Sequence, residues 1–363
     1  MDEAQSLAVD RVLVVRVLRE AAAEQGFVRI GFARADEPPQ FERFRRWIGQ
    51  GRHARMAYLE ETMEVRAQPR SLLAGARSIV CLAARHRTTR PIARDGSRVA
   101  RYAVGRDYHQ TLRERANRFV ASAKANLGSF RFRICADSTP RAERSLAAAA
   151  GLGWIGKNGC LIDPDEGSFL LLAEVITDLD LPPDEPIAER CGSCVRCLAA
   201  CPTQAFLAPG LLDAHRCISY WTIEHRGPIP DEMKAQLGDL VFGCDICQEV
   251  CPWNASPQTD DGRPATDAEG PNAPDDAIPA RADWLRMGKG EWRRRFGATA
   301  FNRTGRRGMQ RNAAASVGSV RDLAARDLLP VLPSDAGLAD AVKWARPRLT
   351  PTEADPPRPP SLG

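Results

Sequence analysis

Eight of the eleven cysteines in this 363-residue chain fall between Cys191 and Cys251, spaced as thiolate ligands of iron–sulfur clusters are. The first run is Cys191-x2-Cys194-x2-Cys197-x3-Cys201-Pro202, the order used for four-iron clusters, whose fourth cysteine reaches across to a second cluster in two-cluster modules. The second run, Cys244-x2-Cys247-x3-Cys251-Pro252, is one cysteine short, and Cys217 between the runs can supply it. The crossover rule then gives Cys191, Cys194, Cys197 and Cys251 to one cluster and Cys201, Cys217, Cys244 and Cys247 to the other. C-x2-C units also build zinc sites, but those come as separated pairs rather than a run of four closed by proline. Cys81, Cys135 and Cys160 lie among apolar residues and read as small buried hydrophobes. Clusters move electrons singly, so such a module is a wire. The rest of the chain must hold the site that the wire feeds.

An acid stands where such a site could lie. In CADSTPRAERSLAAAAGLGWIGKNGCLI, residues 135–162, Asp137 follows a strand, Ser138 and Thr139 are potential helix caps, and Pro140 suits a first helical position. Ligands of α/β sheets bind at such strand ends. Local pattern leaves open whether Asp137 faces a ligand or only caps the helix. The glycines of GLGWIG fit GxGxxG only at the end of a helix, whereas a dinucleotide fingerprint must open one, so NAD or FAD binding at this loop is discounted.

The elements that must position these residues alternate in type. Leu7, Val12, Val15, Leu18 and Ala22 recur at helical spacing before Gly26, and the strand-like FVRIGFA follows. PRSLLAGA runs into SIVCLAA, and a charged helix from about Tyr108 to Leu127 runs into FRFRICA. FLLLAEVITDLD reads as one further buried strand, ended by Pro182-Pro183. The expected organisation is an α/β (α+β) domain over 1–185, a ferredoxin-type double-cluster domain over 186–255, a Pro/Gly/Asp-rich linker over 256–280, a helical basic region over 281–348 and a disordered tail over 349–363.

With 44% hydrophobic and 27% charged residues, the composition is that of a soluble globular protein without need of disulfide staples. The N-terminus carries no signal-like stretch and no run is apolar enough to span a membrane, so a cytoplasmic, membrane-free protein is expected. The net charge of +5 says little, but its distribution says more: ten Arg/Lys against two acids lie between Arg281 and Arg311. Such a stretch suits a phosphate backbone or, more plainly, a solvated helical face.

Read together and in order, MAYL (56–59), RYAVGRDYH (101–109), ADSTPRAERSLAAAAGLGWIGKNGCLI, CGSCVRCLAACPTQAF, CISYWTIEHRGPIP (217–230) and GCDICQEVCPWN resemble the epoxyqueuosine reductase family over about residues 10–255, with a weaker echo in RRGMQRNAAAS. The resemblance implies reduction of the epoxide of epoxyqueuosine, at the wobble position of tRNA, to the alkene of queuosine. It implies cobalamin beside two [4Fe-4S] clusters, with low-valent cobalt attacking the strained ring and Asp137 as proton donor. Tyr102, Asp137, Lys157, Asn158, Ser219 and Tyr220 are nominated for the cobalamin site on the same ground. A monomer is expected, with a tRNA anticodon stem-loop as substrate and a flavodoxin or ferredoxin as electron donor. Gly159-Cys160 and Trp221 depart from the family's commoner residues, which implies at most altered packing around the corrin. Two rival readings are another corrinoid iron–sulfur reductase, such as a dehalogenase-like enzyme, and an electron-transfer adaptor that binds no cobalt.

Overall fold

A computed structural model describes residues 3–86, 90–255, 278–331 and 333–350. The expected linker falls outside the described residues at 256–277, as does the expected tail at 351–363. The first helix, Glu3–Glu24, ends where Gly26 takes φ of +73°, a left-handed turn that glycine adopts without strain and that feeds the chain into β1, Arg29–Arg34. Then come β2 (Ser78–Arg85), β3 (Arg98–Val99), β4 (Phe132–Cys135), the hairpin β5 (Trp154–Ile155) and β6 (Leu161–Ile162), and β7 (Leu170–Thr177).

The main sheet has the order β1-β2-β7-β4, and every neighbouring pair is antiparallel. Alternating strands and helices point to parallel pairing, but here the connections return each strand beside its neighbour in the opposite sense. The domain is therefore of the α+β kind. Period-two alternation divides its side chains between two faces. Val80 and Leu82 join Phe32, Leu112, Phe119 and Val175 beneath the helices Glu3–Glu24 and Tyr108–Leu127. Ile79, Cys81 and Ala83 join Cys135, Leu146, Leu152 and Ile176 beneath the helix Glu143–Ala149. Gly31 lets that helix end approach β1, because a Cβ there would stand 2.0 Å from the Ala150 carbonyl oxygen. Glu174 pairs with Cys81 on one side and Cys135 on the other, a carboxylate in the middle of an apolar sheet.

A second core joins segments remote in sequence. Val99 and Ala103 pack with Ile218, Tyr220, Leu240 and Phe242 around the cluster segment, and with Trp284, Phe301, Ala313 and Trp344 of the C-terminal helices. The helix Gly305–Ser319 is the central strut. Arg311 donates to the carbonyls of Trp221, His225 and Gly227, and Asn312 donates to those of Thr222 and Val241. Burial lowers the Arg311 pKa to about 10. Arg281 is likewise buried against Asp95 and Ser316. These two members of the basic stretch are thus structural, and Arg286, Lys289, Arg293, Arg294, Arg303 and Arg307 remain exposed. Among the described residues no helix is long and apolar enough to cross a membrane.

Candidate active site

Each cysteine run of the cluster segment is built around a short helix, Arg196–Ala199 with Cys197 and Ile246–Glu249 with Cys247, and Cys217 stands just before a π-helical turn, Tyr220–Glu224. Ionised thiols raise one another's pKa when they are close, and that influence shows which of them are neighbours. Cys251 feels Cys191 and Cys194, and Cys197 feels Cys251 and Cys191. Cys244 and Cys217 both feel Cys201, and Cys247 feels Cys160, Cys244, Cys217 and, from the first run, Cys197. Burial is the first cause of the raised pKa at each of these five thiols. Among the described residues no three His, Cys, Asp or Glu side chains are drawn tightly enough to hold one metal ion. Cys81 and Cys135 are buried as expected. Cys160 lies instead within electrostatic reach of Cys197, Cys247 and Cys251.

The β5–β6 hairpin presses the first domain onto this segment. Lys157 Nζ donates to the carbonyls of Gly192 and Cys194, Asn158 Nδ2 to that of Cys247, and Trp154 meets Trp253 edge-on at 4.9 Å. Ser219 hydrogen-bonds the Cys217 sulfur. The Tyr220 hydroxyl is engaged by the Arg55 amide and His225. The polar groups of Lys157, Asn158, Ser219 and Tyr220 thus serve the seam around the clusters.

Asp137 stands at the carboxyl end of edge strand β4 with φ of +47°, and its side chain is 48% exposed. The following helix begins at Glu143 rather than after Pro140, so residues 137–142 are a loop and neither Ser138 nor Thr139 is its cap. Three residues fix the acid. Tyr108 donates its hydroxyl proton to Asp137, His109 Nε2 lies 2.8 Å from Asp137 Oδ2, and the Asp137 amide donates to Glu143 Oε1 at 2.6 Å. Asp107, which caps the helix Tyr108–Leu127, holds His109 Nδ1 from the other side at 2.7 Å. One imidazole between two carboxylates gains a proton. Burial alone would lower the His109 pKa, but the bonds to Asp107 and Asp137 outweigh it and push it up to about 9. For Asp137 burial works upward, yet His109 and Tyr108 hold the carboxyl below its usual range. At neutral pH the proton of this pair therefore sits on His109.

Around the acid lie Tyr58, 38% exposed, and Arg303, whose guanidinium is 5.3 Å from the Tyr58 ring and pairs with Glu224 at 2.6 Å. A line of rings connects acid and clusters: Tyr108 meets Tyr102 edge-on at 5.6 Å, and Tyr102 meets Phe242, two residues before Cys244, at 6.3 Å. Sequence reasoning found Asp137 and Tyr102 but not His109, Tyr108 or Glu143. His109 and Tyr108 lie in the quoted RYAVGRDYH segment, and only the start of a helix after Asp107 hinted that this segment had a fixed end.

A double-cluster cysteine module beside a half-exposed acid–imidazole pair defines the class: an iron–sulfur oxidoreductase. Residues 190–254 match the "4Fe-4S double cluster binding domain" family, and residues 66–138 match "Epoxyqueuosine reductase QueG, DUF1730". The epoxyqueuosine reductase of Xanthomonas campestris pv. campestris is 38% identical over 341 residues, covering 90% of this chain and 94% of that protein. An epoxyqueuosine reductase solved with an epoxyqueuosine-modified tRNA stem loop is 30% identical, with TM-score 0.81 over 93% of this chain and 90% of that one. The Bacillus subtilis enzyme, solved with its catalytic loop swung out of the active site, is 30% identical with TM-score 0.82 over 93% of this chain and 91% of that one. The chain belongs to the epoxyqueuosine reductase family.

Proposed function

We propose that this protein reduces epoxyqueuosine in tRNA to queuosine: two electrons and two protons remove the epoxide oxygen as water and leave the alkene. The observation that carries the reading is the His109–Asp137 pair joined through Tyr108, Tyr102 and Phe242 to the Cys244 segment. A site built only to pass electrons has no use for a stored proton at its end. The clusters would be held by Cys191, Cys194, Cys197 and Cys251 and by Cys201, Cys217, Cys244 and Cys247, the sets that the crossover spacing assigns; the thiols lie close enough to influence one another.

Cobalamin would lie between Asp137 and the Cys217–Glu224 segment, a reading supported by exposed Tyr58, the Tyr102 ring and the half-exposed acid beside it. Tyr102 and Asp137 would contact it directly. Lys157, Asn158, Ser219 and Tyr220, whose polar groups are engaged elsewhere, would contribute backbone and shape. Bound there, the clusters supply electrons singly and cobalamin supplies a two-electron reductant able to engage a strained ring.

The protein's own groups manage the proton. Opening the ring leaves an alkoxide that needs an acid within hydrogen-bond reach. The His109 imidazolium holds that proton, and Asp137, its exposed partner, presents it at the substrate edge as the donor. Asp107 keeps the imidazole oriented and charged. The exposed cations Arg286, Lys289, Arg293, Arg294 and Arg307 suit the phosphates of an anticodon stem-loop. A cytoplasmic monomer served by a flavodoxin or ferredoxin completes the proposal. The test is anaerobic reconstitution with cobalamin, a strong reductant and an epoxyqueuosine-bearing stem-loop, read by nucleoside mass. Loss of one oxygen from the nucleoside is expected, and an unchanged nucleoside overturns the reading.

A further inference from the structure

Behind Asp137 lies a second charged group that the proton chemistry above does not use. Arg141, with its side chain fully buried, pairs with Glu174 at 2.9 Å in the centre of the sheet. The pair is incomplete: among the described residues, Glu174 Oε1 and both terminal nitrogens of Arg141 have no hydrogen-bond partner. Glu143, on the first turn of the helix Glu143–Ala149, stands between this pair and the Asp137 loop and accepts the Asp137 amide. Three carboxylates in chain order, Asp137, Glu143 and Glu174, thus run from the site edge into the core. Asp137 also has φ in the left-handed range, which a non-glycine residue keeps only where its surroundings enforce it. The Glu143 bond holds the Asp137 backbone from the side of the helix Glu143–Ala149.

We propose that Glu143 is a positioning residue for the Asp137 loop: by holding the Asp137 amide from the helix Glu143–Ala149 it keeps the backbone left-handed and the carboxylate against Tyr108 and His109. The inference deepens the proposed function, since it concerns the pose of the group assigned the proton, but it makes a claim about the loop that stands without substrate. It also gives the pose a pH dependence. Glu143 faces Glu174 on β7, Asp137 and Arg141 on its own loop, Arg144 on its own helix, Arg66 on the helix Met63–Ala67, Tyr108 on the helix Tyr108–Leu127 and Cys81 on β2. Burial first, then Glu174 and Asp137, push its pKa up to about 8. The carboxyl is therefore neutral at pH 7, and its ionisation above pH 8 sets a third negative charge between two others. The loop loosens there.

The test is amide hydrogen exchange of the peptide containing Asp137, corrected for intrinsic rates, beside steady-state turnover. In Glu143→Ala we expect exchange at Asp137–Thr139 to rise by roughly tenfold or more. We expect kcat to fall roughly 100-fold, the loss typical of a reacting group displaced by about 1 Å, with KM for the stem-loop unchanged. Glu143→Gln keeps an oxygen acceptor for the amide. It should restore protection and turnover at pH 7 but remove the rise in exchange that the unmodified protein shows through pH 8. Unchanged exchange in Glu143→Ala overturns the inference whatever the turnover. Should that variant not fold, Glu143→Gln decides alone, because a surviving step at pH 8 also overturns it. Absence of turnover in the unmodified protein strikes at the proposed function instead and leaves the exchange result standing.

Discussion

The cluster segment and the Asp137 site are built in opposite ways. Eight thiols within 61 residues carry the first, and two short helices with one π-helical turn suffice to gather them. The second is assembled from Asp107, Tyr108 and His109 at a helix start, Asp137 at a strand end, Glu143 on another helix and Arg303 from the C-terminal region. A contiguous site can be lost all at once when a ligand goes. A dispersed site can be dismantled piece by piece while the fold persists, because each piece is also anchored by its own element.

That contrast is open to test. The largest effect is expected from Cys217→Ser, which removes a ligand of one cluster: about half the iron and the matching visible absorbance should disappear, with turnover abolished. If iron content stayed whole, the assignment of Cys217 would fall. Asp137→Asn should leave both cluster spectra intact while turnover drops roughly 10²- to 10⁴-fold, the span of a lost general acid. Altered cluster spectra in that variant would show that the two regions are not separable.

The next effect is graded by pH. His109 is raised from 6.5 to about 9, so what its charge contributes is fully present below pH 6.5 and is lost as pH rises through about 9. Turnover should hold through neutrality and then fall roughly tenfold per pH unit above that point. The limb should persist in Glu143→Gln, which lacks the Glu143 step near pH 8, and should vanish in His109→Gln. The smallest effect concerns neither region. Neutralising Arg293 and Arg294 should reduce the slope of log affinity against log salt for a tRNA stem-loop by about 2 and leave turnover at saturating substrate unchanged. A salt-insensitive complex would assign these arginines to a solvated face.

Legibility followed the same division. The cysteine grouping could be read along the chain because ligand spacing in such runs is set by short-range backbone geometry. Asp137 was visible as a residue between strand and helix, and Gly26 marked the end of the first helix by its left-handed freedom, whereas the cap at Asp107 emerged only from the structure. His109 carried no such mark, since its charge depends on Asp137, 28 positions away, as much as on its neighbour Asp107. The basic stretch misled in part. Arg281 and Arg311 carry the same charge as their neighbours, but their place in the second core turns them into struts that satisfy buried carbonyls.

The amino-acid sequence alone was enough to locate a double-cluster cysteine segment and an acid at a strand end, both matters of local spacing, and its ordered motifs carried the family resemblance. The tertiary structure decided the antiparallel order of the sheet, because strand alternation does not encode direction. It also decided which acid is charged and where the proton rests, because a pKa is set by everything within a few ångströms, and here that neighbourhood comes from several separate parts of the chain.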